Sequence, residues 1–303
     1  MLLSTLISVI ATNKAPILGT LGRPAQAWFL NQVMKSSSKL AGELHDSNSV
    51  KPLTVSTLLD HNGRPLEAGD WLKPGQEYWL RVTSLSDALS EILLTDVLPK
   101  LPKRMELYKM EFRVDGFTLN SAQHPWAAQT TFQEMAQDQQ YAQAQSACRM
   151  EFVSPTAFRS NGNDIALPMP GQVFRSLGQK WNAFCPASMR LHELWPGFAE
   201  ACILVDELTA VNSVYWEFAE GTRGTATGYT GTVGFRIPAR NRVDTAWQPY
   251  WSGAAVVMQS LARFALYAGV GHHTTIGMGQ TRVVPSKVDL AHMPMAAQHT
   301  ERR

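Results

Sequence analysis

The chain contains, at residues 267–282, the stretch YAGVGHHTTIGMGQTR, on which the interpretation of the whole sequence depends. Two histidines and two threonines lie among four glycines, Gly269, Gly271, Gly277 and Gly279. Glycine turns let the backbone approach a ligand closely, and consecutive N–H groups form concavities that suit anions. We therefore predict a loop that holds a phosphate backbone. The alternative is a purely structural turn, because glycine is common in any tight connection.

Side chains extend the contacts predicted for this loop. Arg282 offers a charged fork, and four neighbouring side chains offer further hydrogen-bond donors: His272, His273, Thr274 and Thr275. The dinucleotide fingerprint G-x-G-x-x-G does not fit, because that motif follows a strand whereas this loop follows a helical pattern. Thr274 also occupies the place of the third glycine. A nucleotide-cofactor enzyme is therefore the least favoured interpretation.

Length and composition are those of a globular protein with one or two domains. Of the 303 residues, 45% are hydrophobic and 17% are charged, and the formal net charge is +2. Residues 1–150 carry 14 basic and 14 acidic side chains. The remainder carries 13 basic and 11 acidic ones, and 11 of those basic residues are arginines. Arginine suits phosphate forks and base stacking, so we expect a local nucleic-acid-binding patch rather than a basic face.

Several features favour a cytoplasmic protein without metal, cofactor or membrane span. The three cysteines are widely spaced and form neither a metal motif nor a disulfide framework. The apolar residues 1–10 lack a basic flank and a cleavage site, and they indicate a strand rather than a signal peptide. No apolar run reaches 18 residues. No spacing of His, Cys, Asp and Glu predicts a metal site.

The apolar periodicity predicts the same order of elements twice. Strand, helix, strand, strand, helix, strand is expected first at residues 2–11, 24–45, 52–59, 78–85, 86–98 and 107–117. The order recurs at residues 148–158, 170–184, 206–219, 229–237, 246–267 and 281–284. Ser86 is an expected N-cap. This order predicts an α+β fold of two tandem ferredoxin-like domains. We expect them at residues 1–125 and 148–290, with a linker helix at 126–147 and a flexible tail at 291–303.

A second informative stretch joins the first predicted helix to the second predicted strand. His45 ends the helix, where the helix dipole favours the protonated imidazole, and Lys51 follows six residues later. A histidine transfers protons near neutral pH, and a lysine neutralises charge that develops on a phosphate. Together they form a candidate catalytic pair. The alternative is a surface helix cap next to a solvated lysine.

The other arginines have two interpretations, whereas two other histidines are expected at the surface. Arg159 ends the strand-like segment FVSPTAFR, and Arg236 and Arg240 follow a Gly/Thr-rich hairpin. These side chains either contact RNA or belong to ordinary solvated turns. His61 and His124 lie in polar segments, for which surface positions are expected.

In this order, the stretches resemble the CRISPR-associated repeat-RNA processing endoribonucleases, the Cas six family of the RAMP superfamily. The resemblance rests on the glycine loop together with LHDSNSVKPLTVSTLL (44–59), YWLRVTSLSDALSEIL (78–93), FVSPTAFR (152–159), LPMPGQVFRSLGQKWNAF (167–184) and TGYTGTVGFRI (227–237). It implies two ferredoxin-like (RRM-like) domains that bind CRISPR repeat RNA, as precursor and as mature guide. It also implies metal-independent cleavage within each repeat, in which a ribose 2′-hydroxyl attacks the neighbouring phosphate and leaves a 2′,3′-cyclic phosphate and a 5′-hydroxyl.

The resemblance also assigns roles to individual residues. His45 occupies the place of a general acid or base, and Lys51 that of a lysine that stabilises the transition state. Some members also use a tyrosine on the first helix, where this chain has Trp28 and Phe29. Similar loops carry Lys or Arg where this one has two histidines, which either keep the phosphate contact or bring a catalytic histidine into the loop. The alternative function is a non-catalytic subunit that holds guide RNA in a CRISPR effector complex.

Overall fold

The computed structural model describes residues 1–37, 40, 42, 44, 50–137, 146–218 and 224–285. Two antiparallel sheets organise these residues, one in each half of the chain. The predicted catalytic residue His45 lies outside the described residues, as does the predicted tail at 291–303. Within the described ranges, no helix is both long and apolar enough to span a bilayer.

The first sheet has six strands and two accompanying helices. In chain order its elements are β1 (Leu2–Ala11), α1 (Gly22–Ser36), β2 (Leu53–Leu59), β3 (Glu77–Ser84), α2 (Asp87–Ile92), β4 (Arg104–Leu107), β5 (Met110–Thr118) and β6 (Ala128–Thr130). The strand order is β2-β3-β1-β5-β4, and β6 pairs with β1 beside this path. Every pairing in the sheet is antiparallel.

The second sheet has four strands. The elements of this half are α3 (Phe132–Gln137), β7 (Ala147–Thr156), β8 (Phe158–Ser160), β9 (Asn163–Ile165), α4 (Pro170–Phe184), α5 (Trp195–Cys202), β10 (Leu204–Glu217), β11 (Thr225–Arg236), α6 (Trp251–Ala268) and β12 (Thr281–Val283). The sheet order is β10-β11-β7-β12, and β8 and β9 form a separate hairpin.

The two sheets share one arrangement. In each, the first strand lies between the third and fourth main strands, and the second strand lies outside the third. The first sheet thus runs β5-β1-β3-β2 and the second β12-β7-β11-β10. This is the strand order of a split βαβ unit, which confirms the predicted α+β fold of two tandem ferredoxin-like domains.

Most predicted elements are present, and their differences have local causes. The helix predicted at 170–184 is α4, and the strand predicted at 2–11 is β1. Ser86 caps α2, because its hydroxyl accepts a hydrogen bond from the amide of Leu89 at 3.4 Å. The helix predicted at 246–267 begins only at Trp251, since Pro249 lacks an amide hydrogen and lies in the short turn before it. Helix α5 was not predicted.

The predicted linker differs from the structure. Strand β6 lies inside the range 126–147, yet it pairs with β1 through Leu2 and Thr130 and so belongs to the first sheet. Only Phe132–Gln137 of the linker is a described helix, and Phe132 and Met135 pack into the core of the second half. Residues 138–145 lie outside the described residues. The domain boundaries given above stay predictions.

Each half has its own buried core. In the first core, α1 contributes Ala25, Phe29 and Val33 at a spacing of four residues, which is one face of a helix. In the second core, Phe174 and Trp181 of α4 pack with other aromatic side chains. Leu2 and Leu85 of the first half also belong to the second core. The two halves therefore share a packed interface.

A buried arginine crosses that interface. Arg81 of β3 is 1% exposed, and its Nη1 donates to the carbonyl oxygen of Leu266 on α6 at 2.7 Å. Its guanidinium lies 4.6 Å from the ring centroid of Trp126, and that of Arg282 lies 5.1 Å from the same ring. Burial, with a smaller contribution from Arg282, lowers the pKa of Arg81 to about 9. The side chain therefore stays charged at neutral pH and holds the C-terminal end of α6 against the first half.

Candidate nucleic-acid interface

The glycine loop, residues 269–280, joins α6 to β12 as the sequence predicts. All four glycines have positive φ, from +61° at Gly269 to +100° at Gly277, and His273 is also left-handed at +56°. Glycine adopts such angles without the steric cost that a Cβ brings. Gly269, Gly277 and Gly279 are buried. The glycines therefore shape the loop from inside the protein.

Close contacts explain why side chains are excluded at these positions. A Cβ on Gly271 would lie 2.2 Å from the carbonyl oxygen of Ala157, and one on Gly279 would lie 2.0 Å from that of Val270. Outside the loop, a Cβ on Gly22 at the start of α1 would lie 1.7 Å from the carbonyl oxygen of Ile276. The loop of the second half is thus packed directly against the first helix of the chain.

The amide hydrogens of the loop are mostly used within the protein. Eight of them donate to other protein groups, those of Gly269, Val270, Gly271, His272, Ile276, Met278, Gly279 and Gln280. A cradle of consecutive amides is thereby limited to His273, Thr274 and Thr275, where it stays a prediction. The side chains that the loop presents provide further candidate phosphate contacts.

Two neighbouring imidazoles occupy the outer part of the loop. The rings of His272 and His273 are 4.3 Å apart, and His273 is exposed. Nε2 of His272 lies 3.3 Å from Oδ1 of Asp164, although the angle does not make a hydrogen bond. Burial, with His273 next in effect, lowers the pKa of His272 to about 4, and burial also lowers the pKa of His273. Near pH 7, His272 is therefore neutral, so it meets a ligand as a hydrogen-bonding group rather than as a cation.

Two arginines flank the imidazoles. Arg159 donates from Nη1 to Oδ1 of Asp164 at 2.9 Å, and most of its side chain is exposed. Arg23, in the first turn of α1, places its guanidinium 4.3 Å from the ring centroid of Phe218. The ring of Phe218 in turn lies edge-on to His273, with the centroids 6.1 Å apart. Sequence reasoning identified Arg159 but missed Arg23 and Phe218, whose partners are remote in the chain.

Lys180 of α4 also holds the loop, through hydrogen bonds to backbone carbonyl oxygens. Its Nζ donates to the carbonyl oxygens of Ala268 and Gly269 at 3.0 Å and of Gly271 at 3.2 Å, and it lies 3.5 Å from Oγ1 of Thr274. Burial lowers the pKa of Lys180 to about 7. The sequence pattern alone does not predict a role for this residue.

The other predicted site residues lie outside the loop. Lys51 lies two positions before the start of β2 and six positions before Thr57, where the loop touches that strand. Arg282 forms an ion pair with Glu151 at 2.8 Å. Arg236 is paired with Ala147 at the start of β7, whereas the loop lies at the opposite end of that strand, roughly 30 Å away. Arg240 lies in an exposed turn beyond Arg236.

His124 does not occupy the surface position expected from the sequence. It is 1% exposed, its Nδ1 accepts the amide hydrogen of Trp126 at 3.2 Å, and its ring lies 5.1 Å from that of Trp79. Burial, aided by Arg81 and Arg282, lowers its pKa to about 4. A neutral, buried His124 therefore packs at the interface between the halves. His61 is exposed as expected.

Replacing Gly277 with alanine is expected to destabilise the fold more than the same change at Gly69. Both glycines have φ of +100°, so the conformational cost of about 1–2 kcal/mol applies equally. At Gly277 a Cβ would lie 2.8 Å from the amide nitrogen of Thr57, whereas at Gly69 no atom lies within 4 Å. The clash adds about 1–3 kcal/mol at Gly277 alone. Urea unfolding of both variants measures the difference. Equal losses of unfolding free energy in the two variants would show that Gly277 is not in tight contact with β2.

Two family models match the chain. Residues 150–281 match the model for CRISPR-associated endoribonuclease Cas6, and residues 1–137 match that for the CRISPR Cas6 N-terminal domain. A CRISPR-associated endoribonuclease Cas6 of Mycobacterium tuberculosis is 31% identical over 137 residues. That match covers 45% of this chain and 38% of the relative, so it spans well under half of the relative's length.

Solved structures share the fold across nearly the whole chain. A Cas6 product complex matches with a TM-score of 0.74 and 22% identity, covering 94% of this chain and 100% of the other. A Thermus thermophilus Cas6 matches with a TM-score of 0.67 and 20% identity, covering 94% and 98%. A Cas6-related protein of Pyrococcus furiosus matches with a TM-score of 0.60 and 8% identity, covering 95% and 100%. At these identities the similarity concerns the fold.

Proposed function

The chain belongs to the Cas6 family, and from this premise we propose that it is an endoribonuclease that cleaves CRISPR precursor transcripts within their repeats. The similar structures include a Cas6 product complex, a Cas6 substrate-mimic complex and a RAMP protein described as binding different RNA substrates. The proposed partner is therefore repeat RNA, as precursor and as mature guide, in the cytoplasm. Delivery of the product to a CRISPR effector complex is part of the same proposal.

One observation carries the proposal, namely the packing of the glycine loop on the first half of the chain. The loop meets α1 at Gly22 and β2 at Thr57, so the start of α1 and the imidazole pair lie side by side. Lys51 lies at most roughly 20 Å from Thr57 along the chain. That distance corresponds to roughly six nucleotides at about 3.4 Å each along one strand. An RNA strand of this length that lies on the loop is therefore long enough to reach Lys51, and we propose that the same strand also contacts His45.

In the proposed reaction the ribose 2′-oxygen attacks the adjacent phosphorus. The 2′-hydroxyl proton passes to a base, the bond from phosphorus to the 5′-oxygen breaks, and that oxygen receives a proton. The products are a 2′,3′-cyclic phosphate and a 5′-hydroxyl. We assign one of these two proton transfers to His45, acting as general base or general acid. Such a transfer typically raises the rate by about 10²- to 10⁴-fold. Lys51 stabilises the negative charge that develops on the phosphate oxygens.

The proposed binding residues divide into three groups. His273 and Arg159 are exposed beside the partly buried His272 and Arg23, so we place the RNA backbone there. Thr274 is buried and serves the loop itself, whereas Thr275 is half-buried next to the imidazoles. Arg236 and Arg240 lie away from this face and would contact only distant parts of a long transcript, whereas Arg282 is held in an ion pair with Glu151.

Cleavage is expected to continue in EDTA at an unchanged rate. Among the described residues, no three His, Cys, Asp or Glu side chains are placed to hold a metal ion, and the proposed steps use only imidazole and ammonium groups. The purified chain is incubated with its own repeat RNA and with a scrambled RNA of equal length. The end groups of the products are then analysed. Cleavage only after addition of Mg²⁺, or products with 3′-hydroxyl ends, would refute the proposed mechanism.

The second candidate is a non-catalytic subunit that holds guide RNA. The observation that favours it is Trp28 and Phe29 on α1, where some family members carry a catalytic tyrosine. Phe29 is fully buried, so this position serves the core. Tight binding of repeat RNA without turnover, under conditions where the RNA stays intact, would select this candidate.

A further inference from the structure

We propose that Lys180 is a positioning residue that fixes the glycine loop in its RNA-binding conformation. The inference rests on the proposed function for its RNA readout, while its structural part stands on the contacts of Nζ. An ammonium group has three donors, and here three carbonyl oxygens accept from it, those of Ala268, Gly269 and Gly271. The nearby hydroxyl of Thr274, at 3.5 Å, completes the environment of the group.

The position of these carbonyls explains why a cation is needed there. Ala268 ends α6 and Gly269 follows it, so their oxygens belong to the carbonyls that a helix end leaves without intrahelical partners. The same end of the helix carries partial negative charge. In its ammonium form Lys180 neutralises that end, and its Nζ also donates to the carbonyl oxygen of Gly271, two residues after Gly269. One side chain thus determines the angle at which the loop leaves the helix.

A second side chain of α4 supports the same contact. Ser176 lies one turn before Lys180, and its Oγ accepts the amide hydrogen of Gly271 at 3.0 Å. The amide hydrogen and the carbonyl oxygen of Gly271 are thereby both bound to side chains of α4. His272 and His273 follow directly, so the orientation of the imidazole pair depends on this anchor. A binding loop that is held in its bound conformation before the ligand arrives loses less entropy on binding.

The choice of lysine over arginine is specific to this geometry. Arginine predominates among the basic residues of the second half, and within its described part Lys180 is the one lysine. The donors of an ammonium diverge, whereas those of a guanidinium lie in one plane. Three carbonyls that converge on one atom therefore suit lysine only. If Lys180 instead contacted phosphate directly, arginine would replace it well.

Two substitutions test the proposal, Lys180→Met and Lys180→Arg, with Lys103→Met at an exposed lysine as the control. Without RNA, amide hydrogen exchange in residues 269–280 is expected to accelerate about tenfold or more in both Lys180 variants, the factor that corresponds to losing one charge-assisted hydrogen bond. Exchange in β1 should stay as in the parent. The Kd for repeat RNA should rise about tenfold, while the single-turnover cleavage rate at saturating RNA should change by less than about twofold.

Each contrary result has a distinct meaning. Unchanged amide exchange in Lys180→Met would show that Lys180 does not fix the loop. If Lys180→Arg binds RNA as the parent does and Lys180→Met binds weakly, Lys180 contacts phosphate directly instead. Faster exchange with unchanged Kd would overturn the link to RNA. A parent protein that neither binds nor cleaves repeat RNA would refute the proposed function. The exchange data would still show whether Lys180 fixes the loop. If Lys180→Met does not fold, Ser176→Ala provides the milder variant, with faster exchange expected at Gly271.

Discussion

A repeat RNA with a single 2′-deoxy nucleotide on the 5′ side of the scissile phosphate is expected to bind normally and to remain uncut. In the proposed reaction the 2′-oxygen of that nucleotide is the nucleophile, so its removal leaves the phosphate without an attacking group. The groups proposed to bind RNA contact its backbone and need no hydroxyl at this one position. Cleavage should therefore be undetectable, while the Kd stays within about twofold of that for the unmodified RNA.

The measurement separates this reaction from hydrolysis by water. A repeat RNA with a 2′-deoxy nucleotide two positions away serves as the control and should be cut at the normal rate. If the modified RNA is cut at the original position, water or another nucleophile attacks the phosphate, and the roles given to His45 and Lys51 must be reassigned. If both RNAs bind and neither is cut, the modification disturbs the bound geometry rather than the chemistry.

The sequence was sufficient for the fold because each element carries local signals. Pro170 stands at the first position of α4, and the apolar residues that follow repeat at helical spacing, so both ends of this helix were predicted. Helix α5 was missed because it has only eight residues, several of them apolar. Such a short segment shows no periodicity that distinguishes a helix from a buried strand.

The glycine loop shows what local sequence patterns do not predict, namely contacts between residues far apart in the chain. Its glycines correctly indicated close approach of the backbone, but the pattern does not tell which atoms approach. The approaching groups are carbonyls and amides of this chain, at Ala157, Thr57 and Val270, rather than a ligand. Predicting this would require knowing that residues more than 200 positions apart, such as Thr57 and Gly277, are neighbours in space.

Residues that position the loop were missed for the same reason. Lys180 and its first acceptor are 88 residues apart in sequence, and a lone lysine on an amphipathic helix is ordinarily solvated. Arg23 likewise contacts Phe218 from the other half of the chain. The signal that was available is the scarcity of lysine in the second half, which makes one lysine in the middle of a helix conspicuous. This scarcity indicates that Lys180 is unusual, but its role can be assigned only from the groups that it contacts.

Replacing His45 with alanine is expected to slow single-turnover cleavage by about 10²- to 10⁴-fold, the usual contribution of a positioned proton-transfer group. Binding should change little, because the proposed backbone contacts lie on the glycine loop. Lys51→Ala is expected to lower the rate by about 10²- to 10³-fold, as does the loss of one group that stabilises a developing oxyanion. Both variants are compared with the parent at saturating repeat RNA, and the Kd is measured separately with the uncut 2′-deoxy RNA.

Two further histidines make this test specific. His61 is exposed in a loop of the first half, so His61→Ala should cut at the parental rate and serves as the matched control. His273 is exposed beside Arg23 and has a lowered pKa, so it is the histidine best placed to act if His45 does not. A larger loss of rate in His273→Ala than in His45→Ala would move the proton transfer into the glycine loop. The scissile phosphate would then lie at the start of α1, and Lys51, at most roughly 20 Å along the chain from Thr57, would contact a different part of the RNA.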